Sequence, residues 1–143
     1  MIFMKFNKLI PELSVSNLEK NLHFYTKILG FKVEYQRPEN KFAFLSFQGS
    51  QIMIQENNEK WNTGKLEYPY GRGVNFSIDV DDVDAIVEKL KKHKYPIKMM
   101  PKENWYRKGD TLLGVKEILV MDPDGYLLRF SQDIGTKHVE KSI

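Results

Sequence analysis

The chain has 143 residues, a length typical of one compact domain or of two small fused modules. Hydrophobic residues make up 41% and charged residues 29%, which excludes a disordered chain, and the absence of cysteine excludes disulfides, thiolate metal sites and a cysteine nucleophile. The net charge of +3 is small and spread along the chain, so it does not predict nucleic-acid binding. No apolar run approaches the roughly 18 residues of a membrane span, and Lys5 follows the N-terminus too closely for a signal peptide. We therefore expect a soluble, cytoplasmic protein.

The first half of the chain predicts a strand, a helix and three further strands. The segment Leu9 to Val15 alternates as a strand, and Ser16-Asn-Leu-Glu predicts a capping box. Apolar residues at helical spacing then predict a helix from Asn17 to Leu29, with Gly30 as its left-handed stop. The remaining predicted strands are Phe31 to Gln36, Phe42 to Phe47 and Gln51 to Glu56.

The second half follows the same plan. Val74 to Val80 alternates as a strand, and Asp81 or Asp82 caps a helix. The apolar residues that carry the helical spacing are Val83, Ile86, Val87 and Leu90. Asp-Pro-Asp-Gly at 122–125 suits a type I turn that opens a hairpin. The remaining predicted strands are Ile97 to Met100, Ile118 to Met121 and Tyr126 to Gln132.

These two halves are an internal duplication. Val15 matches Val80 at an offset of 65 residues, whereas Gly49 matches Gly125 at an offset of 76. The difference of 11 residues places an insertion in the stretch from Lys102 to Lys116. The sequence thus predicts one α+β domain over residues 1–143 with two βαβββ modules. Their bounds are 7–56 and 73–134, with a linker at 57–72 and a tail at 135–143.

The repeated motifs resemble those of the vicinal oxygen chelate superfamily. They are VSNLEKNLHFYTKILGF in the first module and DVDDV with DPDGYLLRF in the second. That superfamily includes glyoxalase I, extradiol dioxygenases, fosfomycin-resistance enzymes and bleomycin-resistance proteins. The resemblance covers about residues 8–134 and implies a curved mixed sheet around a cavity.

The resemblance also implies where a metal would be held. In metal-using members each module supplies two ligands, usually His and Glu or Gln, from its first and last strands. The matching positions here are Ile10, Met53, Asn75 and Arg129. Divalent ions favour imidazole nitrogen or carboxylate oxygen, whereas a guanidinium carries a permanent positive charge. We therefore expect no metal, no cofactor and no catalytic residue at these positions.

The metal-free, bleomycin-resistance-type members provide the nearest likeness. They open with an Ile-Pro-x-Leu-x-Val strand, as residues 10–15 do, and carry an aromatic pair like that of Glu103-Asn104-Trp105-Tyr106. This implies a homodimer that confers antibiotic resistance by sequestering a small organic ligand in a groove. The basic chain is a poor match for bleomycin itself, which is cationic. The predicted ligand-binding residues are Glu12, Met53, Asn75, Trp105, Tyr106, Arg107 and Arg129.

Several of these residues have a structural alternative. Arg129 either grips a carboxylate or phosphate or forms an ion pair with Glu12. Trp105 and Tyr106, expected in an exposed loop, form a stacking wall or anchor the loop. Arg107 belongs to a basic lid or to a solvated loop, and Trp61 is an opposite wall or an anchor for the linker.

Two rival functions stay open. One is a glyoxalase-like lyase or isomerase, or a dioxygenase, with displaced or absent metal ligands. The acidic residues available to such an enzyme are Glu12, Glu56, Asp79 and Glu117. Strand parity predicts that Glu56 and Glu117 face away from the cavity, which favours the binding protein over the enzyme. The other rival is a dimeric interaction module whose groove is filled by its own side chains.

Overall fold

The computed structural model describes residues 4–139, and the predictions that involve residues 1–3 and 140–143 lie outside this range. The described chain divides into two compact units. The first contains residues 4–70 with Asp122–Gly125, and the second contains Gly71–Met121 with residues 126–139. Among the described helices, none combines the length and the apolar character that a membrane span requires.

The first unit is a four-stranded mixed sheet with one α-helix and, between β2 and β3, a short 3-10 helix at Pro38–Asn40. Its elements are β1 Glu12–Val15, α1 Leu18–Leu22, β2 Lys32–Arg37, β3 Phe42–Phe47 and β4 Ser50–Glu56. The strand order is β1-β4-β3-β2, in which β1 runs parallel to β4 and the other neighbours are antiparallel. After α1 the chain continues as a π-helical segment, His23–Leu29, and stops at Gly30 with a φ of +95°. Gly30 therefore ends the helix as predicted.

The start of α1 differs from the predicted capping box. Asn17 is the N-cap, and its side-chain oxygen accepts a hydrogen bond from the Lys20 amide at 2.9 Å. The amide and hydroxyl of Ser16 instead donate to the carboxylate of Asp124. The capping box of Ser16 and Glu19 is therefore a wrong prediction, because Ser16 is committed to the 122–125 turn.

The second unit repeats the same arrangement. Its elements are β5 Asn75–Asp79, α2 Val83–Lys92, β6 Met99–Lys108, β7 Thr111–Met121 and β8 Leu127–His138. The strand order β5-β8-β7-β6 mirrors that of the first unit, with β5 parallel to β8. Asp82 caps α2, one of the two predicted residues. The α+β class and the two βαβββ modules are thus confirmed.

The inserted segment is a hairpin, which corrects the prediction of an exposed loop. β6 and β7 pair as far as Lys108 opposite Thr111, so Gly109 and Asp110 form a two-residue turn with Gly109 at a φ of +62°. β8 pairs with the lengthened β7 and runs to His138, whereas the sequence predicted its end at Gln132. The extra residues therefore extend three strands together, because each new strand residue finds a backbone partner on its neighbour.

The core of the second unit lies on one face of its sheet. Ile118 and Val120 on β7 are fully buried, and Leu128 and Phe130 on β8 are at most 1% exposed. α2 packs against β7 and β8 through buried residues that carry its helical spacing, Val83, Ile86, Val87 and Leu90. Since side chains alternate along a strand, the opposite face of β7 and β8 carries the polar residues Glu117, Arg129 and Ser131 beside Leu119 and Leu127.

Candidate functional site

The four positions at which the resemblance implies metal ligands have equivalent strand registers in both units. Met53 on β4 lies opposite Glu12 on β1, and Arg129 on β8 lies opposite Ser77 on β5. Glu12 and Ser77 each follow the other implied position, Ile10 or Asn75, by two residues. The duplication predicted from sequence is therefore confirmed in the strand pairing.

The chemistry of these four side chains does not fit a divalent ion. Ile10 has no donor atom, Met53 offers a soft thioether and Asn75 a neutral amide, while Arg129 is a permanent cation. Within residues 4–139, no three or more His, Cys, Asp or Glu side chains are grouped so that they can hold a metal. These four positions therefore offer no ligand set for a divalent ion.

A buried polar cluster in the second unit centres on Glu117. Its side chain is only 4% exposed. Oε1 accepts hydrogen bonds from Asn104 Nδ2 at 2.8 Å and from the Tyr106 hydroxyl. Oε2 accepts a weaker one from Ser131 Oγ at 3.2 Å and lies 3.7 Å from Arg129 Nε. A buried carboxylate is stable only when it is paired in this way. We call these five residues the Glu117 cluster.

The register of β7 and β8 brings the cluster together. Glu117 pairs with Ser131, and Leu119 pairs with Arg129, so these four side chains lie on the face opposite the apolar core. The sequence analysis placed Glu117 on the other face, and that prediction is wrong. A four-residue turn at Asp122–Gly125 would pair Glu117 with Phe130, but the loop also includes Tyr126, since Met121 pairs with Leu127. A slip of one residue reverses the face of every side chain on the strand.

Arg129 has its ion-pair partner within its own unit, whereas Glu12 is only influenced by the charge of Arg37 within the first unit. Arg129 forms its ion pair with Glu117. The alternative from sequence, an ion pair of Arg129 with Glu12, is therefore wrong. Arg129 is about one-third exposed, and its buried Nε has no hydrogen-bond partner. For Glu12, partial burial raises the pKa of the carboxyl group and the nearby Arg37 opposes that rise.

Tyr106 is tied to Glu117 electrostatically as well as geometrically. The hydrogen bond to Glu117 raises the pKa of the Tyr106 hydroxyl, and burial adds to the rise. The tyrosine therefore stays protonated and acts as a donor that holds Oε1 in place.

The predicted aromatic wall is split between two faces of the sheet. Tyr106 pairs with Leu113 and faces Glu117, whereas Trp105 pairs with Gly114 and packs against its backbone on the other face. Lys137 Nζ lies 3.8 Å from the centre of the Trp105 ring. The strand alternation also separates Arg107 from Tyr106. Trp105 and Arg107 are thus not brought to the Glu117 cluster.

The other predicted ligand-binding residues divide between the units. Glu12 and Met53 are neighbours in the first unit. Asn75 is exposed at the start of β5, two residues before Ser77, and so shares the face of Arg129. Asn104 and Ser131 are members of the cluster that were not among the predicted ligand-binding residues, although strand alternation already puts Ser131 on the face of Arg129. Both can be identified from strand alternation once β6 is recognised as a strand: Asn104 lies two residues before Tyr106, and Ser131 lies two residues after Arg129.

Comparison with known families and sequences shows what this chain is similar to. The model of the Glyoxalase/Bleomycin resistance protein/Dioxygenase superfamily matches residues 6–130. The lactoylglutathione lyase of Neisseria meningitidis serogroup A is 29% identical over 126 residues, which cover 84% of this chain and 86% of that protein. The probable lactoylglutathione lyase of Vibrio parahaemolyticus is 30% identical over 130 residues, covering 85% and 86%.

Solved structures support the fold. Virulence protein STM3117 from Salmonella typhimurium matches with a TM-score of 0.64 at 22% identity, covering 92% of this chain and 98% of that one. TioX from Micromonospora sp. ML1 matches with a TM-score of 0.69 at 16% identity, covering 90% and all of that chain. With the family model spanning both units, the chain belongs to the Glyoxalase/Bleomycin resistance protein/Dioxygenase superfamily.

Proposed function

We propose that this protein is a glyoxalase-like lyase or isomerase of small organic molecules, and that the Glu117 cluster is its reacting site. One observation carries the proposal: a buried carboxylate, Glu117, lies beside a partly exposed guanidinium, Arg129, on the polar face of the second sheet. The names of the curated relatives favour this activity over drug sequestration, which the sequence alone had ranked first.

The chemistry of such a reaction requires a base and a stabiliser of negative charge. In lactoylglutathione, the carbon next to the thioester carbonyl carries a hydrogen. Removal of that proton sends the C–H electron pair onto the carbonyl oxygen and gives an enediolate. Return of a proton to the neighbouring carbon, with transfer of the remaining hydroxyl proton from the first oxygen to the second, gives a hemithioacetal. Its C–S bond then breaks as the hydroxyl proton passes to sulfur, which releases a thiol and a ketoaldehyde. The proton must be taken and returned by a group within hydrogen-bond reach.

The Glu117 cluster can supply both groups. Oε2 of Glu117 has the weaker contacts of the two oxygens, so it is the atom that would take and return the proton. The guanidinium of Arg129 would stabilise the enediolate oxygen with its planar donors. Since Glu117 is almost fully buried, a neighbouring side chain must move aside when substrate binds. Asn104 and Tyr106 would keep the carboxylate oriented through Oε1.

The test is turnover of the hemithioacetal formed from methylglyoxal and glutathione, followed through the ultraviolet absorbance of the thioester. We expect the purified, chelator-treated protein to be active and Glu117→Gln to lose about 100-fold or more in kcat. Glu103→Gln, which removes an exposed carboxylate from β6, is the matched control and should leave kcat unchanged. An inactive wild-type protein, or a fully active Glu117→Gln variant, would refute the proposal.

Sequestration without chemistry is the second candidate function. The absence of divalent donors from Ile10, Met53, Asn75 and Arg129 favours it, because a binding site needs only shape and a few placed polar groups. In this case a cytoplasmic homodimer would hold an antibiotic-like ligand unchanged. A thermal-shift screen against flat antibiotics and organic anions would then give stabilisation without turnover, whereas turnover of any bound compound would favour the lyase.

A further inference from the structure

The first unit contains an open cavity that the Glu117 cluster does not use. Its volume is about 450 Å³, within the range of small-molecule sites. Glu12 at the start of β1, Arg37 at the end of β2 and Phe42 at the start of β3 line it, together with Trp61 from the linker. We call it the Arg37 cavity.

Arg37 lies over an aromatic ring in this cavity but keeps its hydrogen-bonding capacity. Its guanidinium carbon lies 3.9 Å from the centre of the Phe42 ring and 5.8 Å from that of Tyr35. Phe42 is only 1% exposed, so the arginine rests on a rigid aromatic surface. Within residues 4–139 no side chain forms an ion pair or hydrogen bond with the guanidinium. Its planar donors are therefore fixed and unused.

Glu12 faces the same space with an unused negative charge. Arg37 acts on the Glu12 carboxylate electrostatically, yet within residues 4–139 the two groups form no ion pair. In the described chain, Glu12 also accepts no hydrogen bond. Two opposite charges that line one cavity without touching can be bridged by a ligand that carries both signs.

The remaining walls favour a ligand with no net charge and a flat apolar part. Three cations and three carboxylates line the cavity, and one pair of them, Lys41 and Glu56, is already bonded at 3.1 Å. The lining therefore has no overall preference for a net anion or a net cation. Trp61 is 67% exposed and offers its indole to an aromatic ring.

We propose that the Arg37 cavity binds a small zwitterion of the aromatic amino acid type. Its carboxylate would pair with the guanidinium of Arg37 and its ammonium group with Glu12, while its ring would pack on Trp61. This site lies within the first unit, so the proposal does not depend on the Glu117 cluster or on any turnover there.

The test uses L-phenylalanine as the probe and Trp61 as the reporter. The chain has two tryptophans, so Trp105→Phe leaves Trp61 as the only indole. We expect L-phenylalanine to change the fluorescence of this variant saturably. N-acetyl-L-phenylalanine lacks the ammonium group and L-phenylalaninamide lacks the carboxylate, so each should bind about tenfold more weakly or worse. No saturation at millimolar L-phenylalanine, or equal binding of all three probes, would overturn the proposal.

Substitutions assign the two charges. In Glu12→Gln the preference for L-phenylalanine over its N-acetyl derivative should disappear, and in Arg37→Gln the preference over the amide should disappear. Arg37→Lys keeps the charge without the planar fork and covers the case in which Arg37→Gln fails to fold. Glu19→Gln and Lys27→Gln, charge removals elsewhere in the first unit, are the matched controls. If Glu12→Gln binds all probes like the wild type, the assignment is wrong, whatever turnover the protein shows.

Discussion

Glu117 shows how a single carboxylate can organise a polar cluster inside an apolar unit. Three hydrogen-bond donors and one guanidinium surround a side chain that is 4% exposed. Burial of a carboxylate is costly by itself, but each donor that also becomes buried needs an acceptor. The carboxylate and its donors therefore stabilise one another, and removal of the carboxylate leaves the donors without their hydrogen-bond acceptor.

Glu117→Leu should destabilise the protein by about 2–4 kcal/mol, because Asn104, Tyr106 and Ser131 lose their common acceptor. Glu117→Gln keeps one acceptor oxygen and should cost less. Urea unfolding at pH 7 measures both, and Glu103→Gln should stay within about 0.5 kcal/mol of the wild type. A Glu117→Leu variant as stable as the wild type would mean that the cluster contributes nothing to folding.

Glu56 stabilises the start of the first helix by accepting a hydrogen bond from a backbone amide. Its Oε2 accepts a hydrogen bond from the Leu18 amide at 3.1 Å, and Oε1 accepts one from Lys41 at 3.1 Å. The helix amide and then Lys41 lower the pKa of the Glu56 carboxyl group. Glu56 ends β4 on the side opposite Gln55 and Met53, and from there it both accepts a hydrogen bond from the Leu18 amide at the start of α1 and lines the Arg37 cavity.

The lowered pKa of Glu56 makes a prediction about acid stability. A lowered pKa means that the ionised form stabilises the fold above the unfolded-state pKa and that this stabilisation disappears as the pH falls through the folded-state pKa. Glu56→Gln should therefore lower the urea midpoint at pH 7, with a difference that shrinks below the ordinary glutamate pKa of about 4.5. Glu19→Gln, in the first turn of α1, serves as the control. An effect of Glu56→Gln that grows in acid would contradict this role.

At the scale of elements, the hairpin of β6 and β7 is the main departure from the sequence analysis. Gly109-Asp110 lies between two alternating segments, and a Gly-Asp pair in that position is a hairpin signal. The sequence predicts a loop here because the first module contains no counterpart of the inserted segment, so the duplication offers no strand pattern for it. Assigning it to strands separates Trp105 from Tyr106, since neighbouring strand residues face opposite sides.

Gly114 tests the packing of Trp105 on this hairpin. A Cβ at Gly114 would lie 2.5 Å from two atoms of the Trp105 ring. Gly114→Ala should therefore cost about 1–3 kcal/mol, because the ring must shift. Gly64→Ala, which meets open space, should be close to neutral. In a Trp105→Ala background the cost of Gly114→Ala should nearly vanish, and a double-mutant cycle by urea unfolding measures this coupling. Equal costs in both backgrounds would place the strain elsewhere.

For the whole molecule, the duplication made the fold predictable. The matched positions around Val15 and Val80 identify two copies of one plan, and the strand registers confirm it. The site was harder to predict, because the register of β7 and β8 depends on a connection of five residues and not on the four-residue turn that the sequence predicts. Arg129 and Tyr106 were identified from sequence, whereas the partner of Arg129 was not, since Glu117 was assigned to the wrong face.

The measurement that tests the account most directly is turnover of the methylglyoxal–glutathione hemithioacetal by chelator-treated protein, with and without Glu117. The account predicts thioester formation by the wild type. It also predicts that Glu117→Gln remains folded and loses about 100-fold in kcat. Activity that needs an added divalent ion, or that persists in Glu117→Gln, would contradict it.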